Sequence, residues 1–419
     1  MILALTALAG LLYQGPAAVA RGVWALQLHP ARLINDYTEI AGSGAAIVNA
    51  VLVAAIGLVL IRLARIRVSG PSISAVYTML GFGLFGKTPV NSLPIILGVF
   101  LAARIAGKRF NEYILIALFG TALAPVVSTV AVELTAAGVH TWSAAIAGGI
   151  AMGLLLPPAA MVMLRFHQGY NLYNIGLTSG FLGLFVASVL IAGGADLSGT
   201  LIWNTDPPLF LQAFIPVLSA VLIAAGLWRG PRSALADFVR VNRLSGRLPS
   251  DFMDMVSIRG TLVNMGILGI ASWAYVLIAG APLNGAVIGG ILTIIGFGGF
   301  GKHPMNCWPV MAGILAATLL FGVDPAAPGA ILAILFGTTL APLAGDFGIL
   351  VGFVGGFLHL VMVSRSGGWH AGLSLYNNGF AGGLTATLLA AFMEWRESIR
   401  DTGREEATVS TAASSQKEG

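Results

Sequence analysis

Two lysines in glycine-rich breaks between apolar segments are the side chains whose chemistry is easiest to define. Lys87 follows the sequence Gly-Phe-Gly-Leu-Phe-Gly, and Lys302 follows Gly-Phe-Gly-Gly-Phe-Gly at an offset of 215 residues. In each copy an asparagine, Asn91 or Asn306, stands four residues after the lysine. A lysine at the centre of a membrane costs about 2.5–3.5 kcal/mol, so it needs a partner or water. Paired breaks in corresponding halves of a chain point to the binding site of a transporter.

The backbone around each lysine is shaped by a proline two residues later. Pro89 and Pro304 disfavour helix in the residue before them and are suited to the first turn of a new helix. Such half-helices would point free N–H groups into the break, where an anion or a carbonyl oxygen can bind. We therefore favour a broken hairpin over residues 70–106, with the two lysines approaching the midplane from opposite sides. The alternative is two full crossings, with each lysine in a surface loop.

Glu133 and Asp346 form a second pair of candidates. Each follows a copy of the sequence Phe-Gly-Thr-x-Leu-Ala-Pro, at eight and four residues after its proline. The difference is about one helical turn, so both carboxylates can lie on a similar helix face. An intramembrane carboxylate is by default a relay for protons or cations, and the pair is therefore a candidate for ion coupling. The alternative is that both carboxylates have reached the membrane surface.

Two tyrosine–asparagine pairs open glycine-rich apolar segments. Tyr173 with Asn174 and Tyr376 with Asn377 lie at equivalent places in the two halves. Their phenol and amide groups are candidates for contact with a polar solute. The alternative is structural, because an asparagine can cap a helix or bond to a neighbouring helix where small residues allow close packing.

Composition assigns the chain to the integral membrane proteins. Of its 419 residues, 57 % are apolar and 9 % are charged, whereas a soluble domain carries about 25 % charged residues. Many stretches are long enough to cross a hydrocarbon core of about 30 Å, so we expect an all-α membrane bundle. Cysteine occurs once, and the P-loop, zinc and hydrolase motifs are missing, so we expect neither an enzyme nor a bound metal or cofactor.

The apolar segments fall into two sets that repeat the same motifs in the same order. The segments are 1–13, 42–62, 70–86, 89–106, 112–134, 142–164 and 170–194, then 207–228, 256–280, 284–300, 304–322, 328–344, 346–364 and 372–394. We divide the chain into a first repeat at 1–195, a second at 207–394, and a charged tail at 395–419 that is expected to be disordered. Because 1–13 is too short to span, we favour a truncated first helix over a peripheral one.

Loop charges indicate that the two repeats are inverted. The basic loops are 62–69, 104–112, 165–169 and 229–259. Placing them in the cytoplasm puts 13 basic residues inside and leaves three outside, as the positive-inside rule requires. We expect a multi-pass protein of the inner cell membrane with both termini in the cytoplasm. Inverted duplication is typical of secondary transporters and some channels. The net charge of +5 then reflects these loops, and nucleic acid is not an expected partner.

At the Gly-Phe-Gly-x-Phe-Gly-Lys-x-Pro-x-Asn blocks, with Phe-Gly-Thr-x-Leu-Ala-Pro downstream, the chain resembles a family of bacterial polytopic membrane proteins catalogued as a domain of unknown function. The resemblance covers nearly the whole chain apart from the tail, and it implies a membrane location. The Tyr-Asn-x-Gly blocks at 173–176 and 376–379 are similar to motifs of bacterial urea transporters. In topology, the inverted arrangement resembles nucleobase and anion transporters of the elevator type.

We therefore expect a permease, a secondary transporter for a small polar or anionic solute, with its site between the two breaks. The residues expected to bind the solute are Lys87, Asn91, Lys302, Asn306, Tyr173, Asn174, Tyr376 and Asn377. The alternatives are a passive channel for a small neutral solute such as urea, and a membrane enzyme or assembly factor that transports nothing. The expected partners are the lipid bilayer and the solute, and a homo-oligomer is kept as an open alternative to a monomer.

Overall fold

A computed structural model describes the backbone of residues 2–132 and 141–415, and the side chains of residues 3–132 and 141–400. Within these ranges the chain forms helices and no β-strand, and eight helices are long and apolar enough to cross a membrane. The prediction of an all-α integral membrane bundle is confirmed. Glu133, the first of the two predicted coupling carboxylates, lies outside the described residues.

The described residues of the first half form ten α-helices. They are α1 (Ile2–Gln14), α2 (Pro16–Gln27), α3 (Tyr37–Ile40), α4 (Ser43–Leu63), α5 (Gly70–Phe82), α6 (Pro89–Ile105), α7 (Ile114–Gly120), α8 (Ala124–Val132), α9 (Thr141–His167) and α10 (Asn174–Ala192). A 3-10 turn joins α7 to α8, and the two together are long enough to span a membrane. The chain bends by 108° between α1 and α2.

The helices of the second half follow in the same order. They are α11 (Leu209–Leu227), α12 (Pro231–Val241), α13 (Phe252–Met255), α14 (Ile258–Ala279), α15 (Gly285–Phe297), α16 (Pro304–Leu320), α17 (Pro328–Gly337), α18 (Ala341–Phe347), α19 (Ile349–Trp369) and α20 (Asn377–Ser415). A 3-10 turn again joins α17 to α18. Each helix of one half therefore has a counterpart ten places away, which we call its mate.

The lysine turns connect short helices to helices that begin with proline. Both α5 and α15 have 13 residues, about 20 Å of helix, which is too short for a core of about 30 Å. After each lysine, α6 begins at Pro89 and α16 at Pro304, each with a capping box made by the residue before the proline and an asparagine. This is the helix–break–helix arrangement expected over residues 70–106.

The mates α5 and α15 pack against each other in antiparallel orientation. A Cβ added to Gly81 would lie 2.7 Å from the carbonyl oxygen of Gly289, and one added to Gly296 would lie 2.7 Å from Cβ of Tyr77. Residue numbers thus rise along one helix as they fall along the other. Glycine is needed at these places because the backbones approach so closely. The two lysine turns consequently lie at opposite ends of the α5–α15 pair.

The mates α10 and α20 also cross in antiparallel orientation, through their first turns. A Cβ on Gly176 would lie 2.7 Å from Cα of Gly379. Asn171, before α10, donates to the carbonyl oxygen of Gly379 at 3.0 Å, while Ser179, within α10, bonds at 3.0 Å to Ser374, which precedes α20. Both helices therefore begin inside the bundle and run away from each other.

The charged tail differs from its prediction. Residues 395–415 continue α20 as a helix, whereas we expected a disordered segment from 395 onward. The tail is rich in Glu, Arg and Ala, which are strong helix formers, and it extends a helix that is already nucleated.

Candidate functional site

The ammonium groups of both lysines are buried and bound to tyrosines of the opposite half. Lys87 and Lys302 are each 0 % exposed. Lys87 Nζ donates to the phenol oxygen of Tyr376 at 2.6 Å, and Lys302 Nζ donates to that of Tyr173. Each Nζ also lies over the ring of its tyrosine, 4.7 and 4.5 Å from the ring centroid, which adds a cation–π attraction. The alternative of exposed loop lysines is therefore wrong.

The two lysines do not share one anchoring group. Lys87 follows the C-terminal end of α5 and Lys302 that of α15, so they lie at opposite ends of the antiparallel pair. Their environments also differ, because Lys302 Nζ donates a second hydrogen bond, at 2.8 Å, to the hydroxyl of Thr338. What the lysines have in common is the space between their tyrosines.

That space is a small central cavity, lined by residues from both halves. Its volume is about 20 Å³. Three pairs of mates contribute to its wall: Thr78 and Thr293, Phe82 and Phe297, and Tyr173 and Tyr376. A cavity needs about 10–15 Å³ to hold one water molecule, so a species of roughly that size fits here. Both lysines therefore reach the central cavity through the tyrosines that they bind.

A larger cavity of about 690 Å³ adjoins the central cavity on one side. We call it the Arg365 vestibule, after the one charged residue in its described lining. Phe336, Leu375 and Asn378 line both this vestibule and the central cavity. Asn377, one of the predicted solute ligands, also lines this vestibule.

A matching cavity of about 570 Å³, the Arg165 vestibule, adjoins the central cavity through Ile175 and Phe297. Asn174, the mate of Asn377, lines it. Its lining repeats that of the first vestibule, since Phe300 stands here where Phe85, its mate, lines the Arg365 vestibule.

The two vestibules lie at opposite ends of the molecule's central helix pair. Phe85 belongs to the turn after α5, and Phe300 to the turn after α15. Because α5 and α15 are antiparallel, these turns are separated by the length of the pair. The Arg365 vestibule, the central cavity and the Arg165 vestibule therefore form a series of adjoining cavities across the bundle.

The charged side chains that line this series are all basic. Each vestibule contains one arginine, and none of the described residues that line the three cavities is Asp or Glu. Asp346, the second predicted coupling carboxylate, lies at the end of α18 and faces Arg247, with 3.9 Å between guanidinium nitrogen and carboxylate oxygen. It does not line a cavity of the series. The route thus offers cationic and neutral groups to a solute.

Asn91 and Asn306 close the lysine turns instead of facing the cavities. Asn91 accepts from the N–H of Thr88 at 2.8 Å and donates to the carbonyl oxygen of Gly86 at 3.0 Å. Asn306 donates to the carbonyl oxygen of Gly301 at 2.9 Å. Their amides are occupied by backbone groups, and neither residue lines the central cavity or a vestibule. Their positions therefore do not favour the predicted contact with a solute.

Asn174 and Asn377 each hydrogen-bond to a histidine and also line a vestibule. The oxygen of Asn174 is 3.0 Å from Nε2 of His167, and that of Asn377 is 3.1 Å from Nε2 of His370. These bonds hold each amide at the wall of a vestibule. The amide nitrogens are bonded as well, because Asn174 donates to the carbonyl oxygen of Ala160 at 3.1 Å and Asn377 donates to that of Val363 at 3.3 Å. A solute would therefore compete with these bonds.

Aromatic side chains at the ends of the central cavity were missed by our reading of the sequence. Phe297 separates the cavity from the Arg165 vestibule, and Phe336 separates it from the Arg365 vestibule. Their recurrence in both repeats could have indicated them: Phe82 and Phe297 belong to the lysine motif, and Phe119 and Phe336 belong to the Phe-Gly-Thr motif. We had assigned these phenylalanines no role at the site.

The fold and the site together define a polytopic α-helical membrane protein with a buried polar centre between two vestibules. The family model described as "Protein of unknown function (DUF1576)" matches residues 16–192 and 230–395, and the chain belongs to that family. No curated protein and no solved structure matches the chain. The similarity to urea transporters therefore gains no support from these comparisons.

Proposed function

We propose that this protein is a permease that carries a small anion across the membrane through the series formed by the Arg365 vestibule, the central cavity and the Arg165 vestibule. The observation that carries the proposal is the convergence of two vestibules, from opposite ends of the α5–α15 pair, on one cavity about the size of a water molecule. A structural bundle has no need for such a route, and a transporter site is expected at the interface between repeats.

The sign of the charge supports an anion. The ammonium groups of Lys87 and Lys302 lie behind the tyrosines of the central cavity, and an arginine lies in each vestibule. A cation entering this series would meet two arginines and the two lysines behind the tyrosines, and no carboxylate among the described lining residues. The central cavity is about the size of one water molecule, so the candidates are small ions such as chloride, and nitrate or formate would need the cavity to widen.

The internal symmetry supports a carrier. The antiparallel packing of mates supports the inverted arrangement that the loop charges predict, and inverted repeats can exchange conformations to open the two sides in turn. The described conformation has a vestibule on each side and a narrow aromatic centre, so passage requires Phe297 and Phe336 to move. By the positive-inside rule, the Arg165 vestibule would face the cytoplasm and both termini would lie there.

Anion flux into liposomes tests the proposal. Purified protein is reconstituted, and uptake of chloride, nitrate and formate is compared with uptake of urea. We expect saturable uptake of at least one anion, and a double variant Lys87→Ala, Lys302→Ala should lose it by tenfold or more while remaining monodisperse. Lys108→Ala is the matched control, since this lysine is exposed beside Glu112. Urea flux without anion flux would favour the channel, and the absence of all flux would refute the permease.

A further inference from the structure

The duplication is broken at a pair of interacting positions beside the central cavity. His359 of α19 packs on Gly337, whereas Leu156 of α9 packs on Gly120, the mate of Gly337. Both His359 and Leu156 are 0 % exposed. The helical partner differs as well, because Asn378 stands in the second half where Ile175 stands in the first. A histidine and an amide thus replace two apolar side chains on one side only.

Asn378 connects this histidine to the route. Its side chain lines both the central cavity and the Arg365 vestibule, the boundary that Ile175 occupies on the other side. The oxygen of Asn378 is 3.0 Å from Nε2 of His359. A bond to that oxygen requires a hydrogen on Nε2, which leaves the lone pair on Nδ1. The amide is therefore a bridge between the imidazole and whatever occupies the cavity.

The second ring nitrogen of His359 has no hydrogen-bond partner among the described residues. This distinguishes it from His370, whose Nδ1 accepts from the N–H of Ser374 and whose Nε2 bonds to Asn377. A buried polar atom without a partner calls for an explanation, and a histidine nitrogen with a free lone pair is a place for a proton.

The helices around His359 place no buried counter-charge beside it. The helices packed against α19 are α16, α17, α18 and α20. Their described titratable and charged side chains, with those of α19 itself, are Cys307, Asp346, Arg365, Glu394, Arg396, Glu397 and Arg400. Cys307 contacts Asn306, and the carboxylates on these helices are exposed. An imidazolium at His359 would therefore have no buried carboxylate beside it, and an anion in the central cavity is the nearest charge that can balance it.

We propose that His359 binds the proton that is carried with the anion, so that the permease is a proton–anion symporter. This inference rests on the proposed function. A proton on Nδ1 and an anion in the cavity attract each other across Asn378, and the coupling is reciprocal: each ligand raises the affinity for the other by the same factor. Because the proton and a monovalent anion move together, the step is electroneutral.

Accumulation against a pH gradient tests the symport. Proteoliposomes with an alkaline lumen receive labelled nitrate while potassium and valinomycin hold the membrane potential at zero. One pH unit is a tenfold ratio of protons, so the wild type should accumulate the anion about tenfold per pH unit. His359→Leu with Asn378→Ile recreates the Leu156–Ile175 pair of the first half, and its accumulation ratio should fall to about one. His29→Gln, which removes a histidine from the loop after α2, should accumulate the anion as the wild type does.

A second measurement follows the protonation of His359 in the absence of transport. In detergent, ¹⁵N spectra of histidine-labelled protein are recorded at fixed pH with and without nitrate, and the His359 signal is assigned from its loss in His359→Leu. We expect nitrate to increase the protonated fraction of His359. If anion flux does not depend on the pH gradient and nitrate does not change the His359 signal, the symport is refuted and the proposal of a permease is retained. Nitrate-dependent protonation without any flux would support the coupled site and refute the permease.

Discussion

At the scale of single residues, the site depends on how two buried ammonium groups are satisfied. Each lysine is held by a tyrosine from the other half, and the phenol oxygen is the acceptor that faces the ammonium. The sequence did not predict which tyrosine binds which lysine, because Lys87 and Tyr173 belong to the same half but do not pair. Only the crossing of α10 and α20 in space brings Tyr376 to Lys87. The identities of the four residues were predicted, and their partners were not.

The two tyrosines should differ in their effect on stability. Tyr376→Phe removes the acceptor of Lys87, and a buried polar group left unsatisfied costs about 1–3 kcal/mol or more when it is charged. Tyr173→Phe should cost less, because Lys302 keeps the bond to Thr338. Thermal unfolding in detergent, followed by tryptophan fluorescence, measures the difference. An equal or larger loss for Tyr173→Phe would show that Thr338 does not compensate.

At the scale of helices, small residues set how closely the mates approach. The starts of α10 and α20 touch through Gly176 and Gly379, and this contact positions both tyrosines at the central cavity. The sequence indicated glycine-rich helix starts, and its apolar stretches lay near the observed bounds of most helices. It did not separate a glycine that packs from one that faces open space, because that depends on which helix lies opposite.

Replacement of glycine by alanine should distinguish these two situations. Gly176→Ala puts a Cβ 2.7 Å from Cα of Gly379, so the helices must separate, and we expect a loss of about 1–3 kcal/mol together with loss of anion uptake. Gly148→Ala in α9 is the matched control, since its Cβ would meet nothing within 4 Å, and alanine favours helix by up to about 1 kcal/mol. Melting temperatures of the two purified variants give the comparison. A stable, active Gly176→Ala would show that the crossing tolerates wider spacing.

At the scale of the whole molecule, the sequence predicted the repeated elements best and the contacts between the two halves least. The offset of 215 residues predicted equivalent lysine turns, and both turns were found with the same capping asparagines. The same equivalence misled us about Asn91, whose place three residues into a helix after Thr-Pro is also the signal of a capping box. The vestibules and the His359–Asn378 pair depend on contacts between distant segments, which no local pattern encodes.

The exchange of contacts predicts that neither half is stable alone. Asp36 of the first half accepts the N–H of Gly285 at the start of α15, and Asp251 of the second half accepts that of Gly70 at the start of α5. The lysine–tyrosine pairs cross between the halves in the same way, so a separated half would leave its buried lysine without its tyrosine and its short helix without the capping aspartate. We expect residues 1–194 and 195–419, produced as two chains in one cell, to purify together through a tag on either one.

Each half produced alone should aggregate on extraction, because its lysine and its short helix lose their partners to lipid or detergent. Asp36→Ala with Asp251→Ala should lower recovery of the split pair, whereas Asp324→Ala should not, since Asp324 bonds only within its own turn, to the N–H of Ala326. Size-exclusion profiles and recovery of the untagged chain measure both effects. A monodisperse single half with a cooperative melt would show that each repeat is a folding unit and that the exchanged bonds serve the route alone.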